Sequence, residues 1–498
     1  MFKSRDQIPG DEQIVDGFMF DVDKFDAAGN YTKTKSRYVA RGDQEFGTKI
    51  DISAPTCSLQ TVFMIAAIAA KENRHVASAD IPGAYLHTKM TEILHIRIEP
   101  KISDILVKLK PELSKIRDSK GYLYAELNKA LYGCDESARL WYDTLSAFLI
   151  NDLKFKVNPV EPCIFNLGDG DDQVTVCVYV DDLMVTSLNK PAMTEVLEKI
   201  TAKFPGTNPS IGNVHSYLGM LFDFSSPGKC KITMEYYIRK ILNEFQITGK
   251  KTVPADLDLF TIDESSPLLP SDRKARFRSL VASLLYLVKR VRPEALLAVS
   301  FCTTRVNSPT EQDDKKLQRI AEYFNFDFTS GIILEPGSDS IENSLVSGTD
   351  AAFGIHPDGK SHSGLYIGLG DGPVYVGSKK QKIVSKSSTE AELISLTDGC
   401  SQIIWSRDFL IGQGYSMGPA LVYQDNMSTM SMVKAGKPTS DRTRHIHVRY
   451  FFVKDRVSSG ELLIEHMPTD ELIADLLTKP LFGNKFRKLK AKLLNWVM

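Results

Sequence analysis

Val174, Val176, Val178 and Val180 alternate with Thr175, Cys177 and Tyr179, the period-two pattern of a strand buried on at least one face. Asp181 and Asp182 interrupt the run and Leu183-Met184-Val185 resumes it, so the pattern predicts a hairpin with two carboxylates at its tip. Upstream, two mixed runs between Phe18 and Gly42 flank Gly29-Asn30 and predict a second hairpin. The uncharged Thr61 to Ala70 predicts a core helix, followed by a short strand that ends at Asp80. Leu140, Trp141, Leu145 and Phe148 have helical spacing within Ser137 to Leu149, and Tyr236 to Leu242 opens another helix. Thr252 to Asp272, rich in Pro, Asp and Ser, predicts a linker, and Phe277 to Ser300 a helical pair whose second member starts at Pro293. Near Ser344 the composition changes. Three strands are predicted, the first closing at Asp350, then a long helix capped by Ser388 or Thr389 and a strand ending at Asp425, and Ala474 to Thr478 starts the last helix.

With 498 residues, 43% of them hydrophobic, the chain can bury more than one core and divides into two or three domains. A net charge of −1 does not advertise nucleic-acid binding, but a local basic groove can bind phosphates on an otherwise acidic surface. Seven scattered cysteines, none in a C-x-x-C pair, read as reduced core residues with no zinc site. The N-terminus has no signal-like apolar region and no apolar run is long enough to span a bilayer, so a soluble protein is expected.

Aspartates favour turns on local grounds alone, which by itself would explain the acidic tip. Adjacent carboxylates also repel each other, and a divalent cation would remove that repulsion. A third carboxylate, Asp80, stands where a strand gives way to a turn; three carboxylates sharing two Mg²⁺ ions form a site for in-line phosphoryl transfer. Tyr179-Val180-Asp181-Asp182, with an upstream Asp-x-x-x-Ala-Tyr beginning at Asp80, resembles the palm of reverse transcriptases of the copia-type LTR-retrotransposon class.

That resemblance extends to further blocks. K-x-R-x-V-A-x-G lies in the fingers of the family and faces the incoming triphosphate, which makes Lys35, Arg37 and Arg41 phosphate binders, Arg37 first because a guanidinium can grip bidentately. Tyr85 resembles the aromatic residue that, in reverse transcriptases, packs under the nucleotide sugar and excludes a 2′-hydroxyl. The block L-N-K-A-L-Y-G-x-x-x-S-x-R-x-W-Y is closely matched from Leu127, with one departure: many relatives carry Gln where this chain has Glu136, an acceptor-only group near a triphosphate. His215 to Met220 resembles the primer-grip hairpin, with Leu218 and Gly219 at the primer, and the helix from Tyr236 the thumb.

In the C-terminal part, D-A-A at 350 to 352, S-S-T-E-A-E-L from Ser387, D-N at 425 and A-D-L-L-T-K-P from Ala474 resemble the ribonuclease H domain of copia-type elements. Asp350, Glu392, Asp425 and Asp475 would then supply metal ligands, Glu392 being preferred to Glu390 because it precedes Leu393 in the Ala-Glu-Leu match. Lys379, Lys380, Lys382 and Lys386, the stretch Arg442 to Arg449, and the terminal KFRKLKAK suit a hybrid duplex backbone, although a solvated face explains the last run equally well. Two polar positions depart from the family's H-I-D and Y-H-F, which here read His445-Ile446-His447 and Tyr450-Phe451-Phe452.

The resemblance therefore implies an α+β multidomain chain: a right-hand polymerase of fingers, palm and thumb over 1–250, truncated at its N-terminus, a linker and helical connection over 251–341, and a ribonuclease H-like α/β domain over 342–498. It implies RNA- and DNA-directed DNA polymerase activity with ribonuclease H activity, using two Mg²⁺ or Mn²⁺ ions per active site. The implied partners are an RNA template, a DNA primer, RNA–DNA hybrid and dNTPs, with gag particle and integrase from the same element and no membrane. The implied setting is a cytoplasmic virus-like particle or the nucleus. The alternative is an inactive retroelement remnant that only binds nucleic acid.

Overall fold

A computed structural model describes residues 1–25, 31–47, 51–337, 340–435 and 447–496. The Gly29-Asn30 turn and the basic positions Arg442, Arg444 and His445 lie outside the described residues. The expected acidic hairpin sits at the centre of a six-stranded sheet ordered Ser210–Gly212, His75–Asp80, Asp182–Ser187, Val174–Tyr179, Glu161–Leu167, Lys156–Asn158, with every neighbouring pair antiparallel. Strand periodicity divides its side chains between two cores. Val76, Cys177 and Met184 pack with the helix Leu59–Lys71, while Ala77, Ala79, Val176, Val178, Leu183 and Val185 pack with the helices Ser137–Ala147 and Lys190–Lys203.

The helix Leu59–Lys71 forms because Ser58 caps it, its hydroxyl accepting from the Thr61 N–H, and because it carries no charge before Lys71; it is buried on every side, as an all-apolar helix must be. Flanking the palm is a five-stranded sheet that includes the Gln13–Phe25 and Tyr31–Ala40 hairpin. On the other flank, Val214–Tyr217 and Met220–Asp223 form the hairpin expected before the thumb helix Glu235–Glu244. The segment read as a linker is not a free tether: Val253, Ala255, Leu259, Phe260 and Leu269 are buried against the helices Ser271–Val288, Leu296–Thr303 and Glu311–Phe326.

The C-terminal part is an α/β unit, as expected. Its sheet runs Pro373–Lys380, His362–Leu369, Leu345–Ala352, Ala420–Gln424, Leu462–His466; the first two junctions are antiparallel and the last two parallel. The long helix Ser388–Gly412 covers it, capped one residue earlier than expected, by Ser387, whose hydroxyl accepts from the Glu390 N–H. Two further expectations are corrected. Asp475 lies on a short 3₁₀ turn, Ile473–Leu477, and the last helix begins only at Gly483. The basic run of that helix is largely neutralised within the protein: Lys488 and Lys492 pair with Glu471, Lys485 with Asp470 and Asp475, and Lys490 is buried on Asp327 at 2.6 Å. All seven cysteines are free and buried, and no helix among the described residues is long and apolar enough to cross a membrane.

Candidate active sites

Strand register builds the first site. Asp182 opens its strand directly opposite Asp80, and Tyr179 faces Asp182 on the other side, so only Val180 and Asp181 form the hairpin loop. A two-residue loop needs positive φ, and Val180 supplies it at +58°, a costly conformation for a β-branched residue. Two hydrogen bonds hold the loop there: Trp141 Nε1 donates to the Val180 carbonyl at 2.7 Å, and the Ile81 N–H donates to the Asp181 carbonyl at 3.0 Å. Partial burial and then the charge of Asp80 push the Asp181 carboxyl up, while Lys35 and Arg37 pull it back. The cations of the Tyr31–Ala40 strand are thus near enough to the acidic tip to act on it.

Tyr85 joins them. Its ring lies 4.6 Å from that of Tyr132, and the Arg37 guanidinium stands 5.8 Å from the Tyr132 centroid. Burial first, then the Asp181 charge, raise the Tyr85 phenol; the same causes push Tyr132 up to about 12. Asp80, Asp181, Asp182, Tyr85, Lys35 and Arg37 are therefore neighbours around the hairpin tip. Leu218 and Gly219, both at positive φ, form the turn of the 214–223 hairpin; Tyr286 from the connection donates to the Leu218 carbonyl at 3.3 Å.

Two residues do not join this group as expected. Arg41 is held by its neighbour Asp43 at 2.7 Å. Glu136 is 2% exposed, with one carboxylate oxygen accepting from the Thr91 N–H at 3.1 Å and the other from the Thr91 hydroxyl at 2.5 Å. It anchors a loop and does not present a charge to a triphosphate.

The second site gathers carboxylates from four elements. Asp350 comes from the central strand, Glu392 from the second turn of the long helix, Asp425 from just past its strand, and Asp475 from the 3₁₀ turn. Asp350, Glu392 and Asp425 have oxygens all within 4.8 Å of one another, the one such trio of acids, histidines or cysteines among the described residues. Burial, then the charges of Asp350 and Asp425, push Glu392 up to about 9; burial likewise raises Asp350. Mutual repulsion in a buried set of hard oxygen donors is what a divalent cation relieves, so these residues fit Mg²⁺ or Mn²⁺. Glu390, also buried, turns away to accept from the Lys386 N–H at 2.6 Å, so Glu392 alone of the two acids enters the site.

Several residues around both centres were not singled out by sequence. Tyr132 and Trp141 lie inside the matched block that begins at Leu127, and Trp141 has helical spacing besides, but neither pattern assigns them to the site. Around the second centre, Thr469 donates to Asp425 at 2.6 Å, Gln424 to Glu392 at 3.4 Å, and Thr478 to Asp350. Lys479 bonds Asp475 at 2.5 Å and reaches Asp350 at 3.3 Å; these two carboxylates raise its ammonium pKa in spite of burial.

Three aspartates at and beside the tip of one hairpin, with two cations of the neighbouring sheet acting on them, are a donor set that suits divalent cations and phosphates. The family described as Reverse transcriptase (RNA-dependent DNA polymerase) matches residues 8–257, half of the chain, and the chain belongs to that family. It is 27% identical over 485 residues to the Retrovirus-related Pol polyprotein from transposon RE1 of Arabidopsis thaliana, covering 94% of this chain and 31% of the relative. The Transposon TyH3 Gag-Pol polyprotein of Saccharomyces cerevisiae is 24% identical over 482 residues, covering 92% and 26%. These relatives bear out the copia-type resemblance; the chain spans about a third of the length of the first of them. The structure of a foamy viral protease-reverse transcriptase in complex with double-stranded DNA matches with a TM-score of 0.50 at 12% identity, over 91% of this chain and 65% of that one, so the fold is shared.

Proposed function

We propose that the chain extends a DNA primer on an RNA or DNA template at Asp80, Asp181 and Asp182, and cuts the RNA strand of the resulting hybrid at Asp350, Glu392, Asp425 and Asp475. The observation that carries the reading is the register that sets Asp80 against Asp182 beside Asp181, beneath the Lys35 and Arg37 cations. Bound Mg²⁺ or Mn²⁺, two ions in the polymerase site as the family pattern implies, supplies the positive charge that in-line phosphoryl transfer needs.

The chain's own residues do the rest. Lys35 and Arg37 take the triphosphate charge, and Arg37 is kept in place over the Tyr132 ring. Tyr85, backed by Tyr132, forms a wall under the sugar. The Leu218-Gly219 turn, steadied by Tyr286, supports the primer end. At the second centre Thr469, Gln424 and Thr478 orient one carboxylate each. Domain limits of 1–250, 251–341 and 342–498 remain the working division. Mg²⁺-dependent extension of a DNA primer on poly(rA) by the purified chain tests the reading; absence of extension by folded protein that still binds the duplex would favour the inactive remnant.

A further inference from the structure

We propose that the second centre takes one divalent cation, held by Asp350, Glu392 and Asp425, and that the ammonium of Lys479 fills the place between Asp350 and Asp475 that a second ion would need. The inference rests on reading this centre as the phosphodiester-cleaving site. Its basis is which oxygens remain open to a metal. The trio within 4.8 Å of one another excludes Asp475. Asp475 faces chain ammoniums instead: Lys479 bonds Oδ1 at 2.5 Å, and Lys485 stands 2.9 Å from Oδ2, an oxygen that takes no hydrogen bond. Lys479 also stands 3.3 Å from Asp350 Oδ2, the oxygen to which the Thr478 hydroxyl donates.

The ammonium is placed by the backbone. Lys479 follows Asp475 by four residues, and its N–H donates to the Asp475 carbonyl at 3.1 Å. Leu477, two residues before it, has its carbonyl tied to the Ser378 hydroxyl of the sheet at 2.7 Å. The two carboxylates that Lys479 joins are each 1% exposed, so its ammonium is their countercharge within the fold. Charge balance agrees. Four carboxylates and the two ammoniums of Lys479 and Lys485 leave −2, which one divalent ion closes to zero, whereas two ions with Lys479 displaced would leave an excess of +1 before any phosphate arrives.

The test counts ions in the full chain carrying Asp181→Asn and Asp182→Asn, so that the polymerase centre is silenced, by the loss of the free Mn²⁺ electron-resonance signal on titration. One bound Mn²⁺ is expected. Adding Lys479→Met should raise the count to two, and adding Asp475→Asn in its place should leave it at one. RNA-strand cleavage by the chain with Lys479 intact should rise with the first power of Mn²⁺ below saturation. Two ions bound with Lys479 intact, or loss of an ion on Asp475→Asn, overturns the inference, and both can be read even if the Lys479 variant fails to fold. No Mn²⁺ bound with all four carboxylates intact would instead defeat the reading of the centre itself.

Discussion

Tyr85 is half-buried, tilted at 55° against the Tyr132 ring and close enough to Asp181 to feel its charge, a place that suits the proposed wall under a nucleotide sugar. Tyr85→Val removes that wall while leaving carboxylates and cations in place, so the ratio of rNTP to dNTP efficiency should rise by ~10-fold or more. An unchanged ratio in steady-state incorporation would show that the ring does not gate the sugar. Glu136 supports a different expectation from the one its position in the block suggests. Glu136→Gln keeps an oxygen for the Thr91 N–H, and its amide can donate to the Thr91 hydroxyl, so both stability and the KM for dNTP should be nearly unchanged. Glu136→Ala takes away both acceptors of Thr91, an exposed residue that water can serve, and should cost about 0.5–1.5 kcal/mol in denaturant unfolding, again with little change in that KM. A marked drop in KM for Glu136→Gln would return the carboxylate to the nucleotide site.

At the scale of elements, a histidine pair clamps the sheet to the turn that carries Asp475. Ser378 donates to the Leu477 carbonyl, so its oxygen accepts from His362 Nε2 at 2.8 Å; His362 Nδ1 is then bare and accepts from His356 Nε2 at 3.0 Å. Burial lowers both, His356 to about 4 and His362 to about 3, with Lys380 adding to the shift at His356 and Asp358 opposing it. A folded pKa below the unfolded value of roughly 6.5 means that the unfolded chain binds more protons as pH falls. Stability is therefore fully present above about pH 6.5 and declines from there towards pH 4, by up to ~1.4 kcal/mol per pH unit for each ring. Denaturant unfolding at pH 7 and pH 5 should show the loss, and His362→Gln should shrink it; a pH-independent difference between the two proteins would remove the pair from the account. Elements of this kind were legible where apolar spacing is strict, as in the acidic hairpin and the Leu59–Lys71 helix. They were misread where local spacing imitates another element: Ala474 to Leu477 looks helical, yet Pro480 disfavours a helical residue before it and the turn stops. Partners such as Thr91 for Glu136, or Lys479 between two acids, depend on contacts that no local pattern encodes.

Across the whole molecule the two centres sit on a shared framework. The helix that presents Glu392 at its start docks its far half on the palm, where Gln60 donates to Ser406 at 2.6 Å, Asn158 to the Phe409 carbonyl at 3.1 Å and Trp405 to the Val160 carbonyl at 3.2 Å. One continuous core cluster runs from the Leu59–Lys71 helix through the connection to Leu493 and Leu494. Two sites built on one core could fail together for structural reasons, so the substitutions that separate them must keep volume and remove only charge. Asp425→Asn does so: it withdraws one carboxylate from the trio within 4.8 Å and should slow cleavage of the RNA strand by roughly 10³-fold or more, while primer extension is nearly unaffected. Asp182→Asn, at the register position opposite Asp80, should abolish extension and spare cleavage. Thermal melting and duplex binding alongside both assays establish that each variant is folded. If either single change then removed both activities, the shared framework would have to be carrying one coupled site, and the assignment of two independent carboxylate centres would be given up.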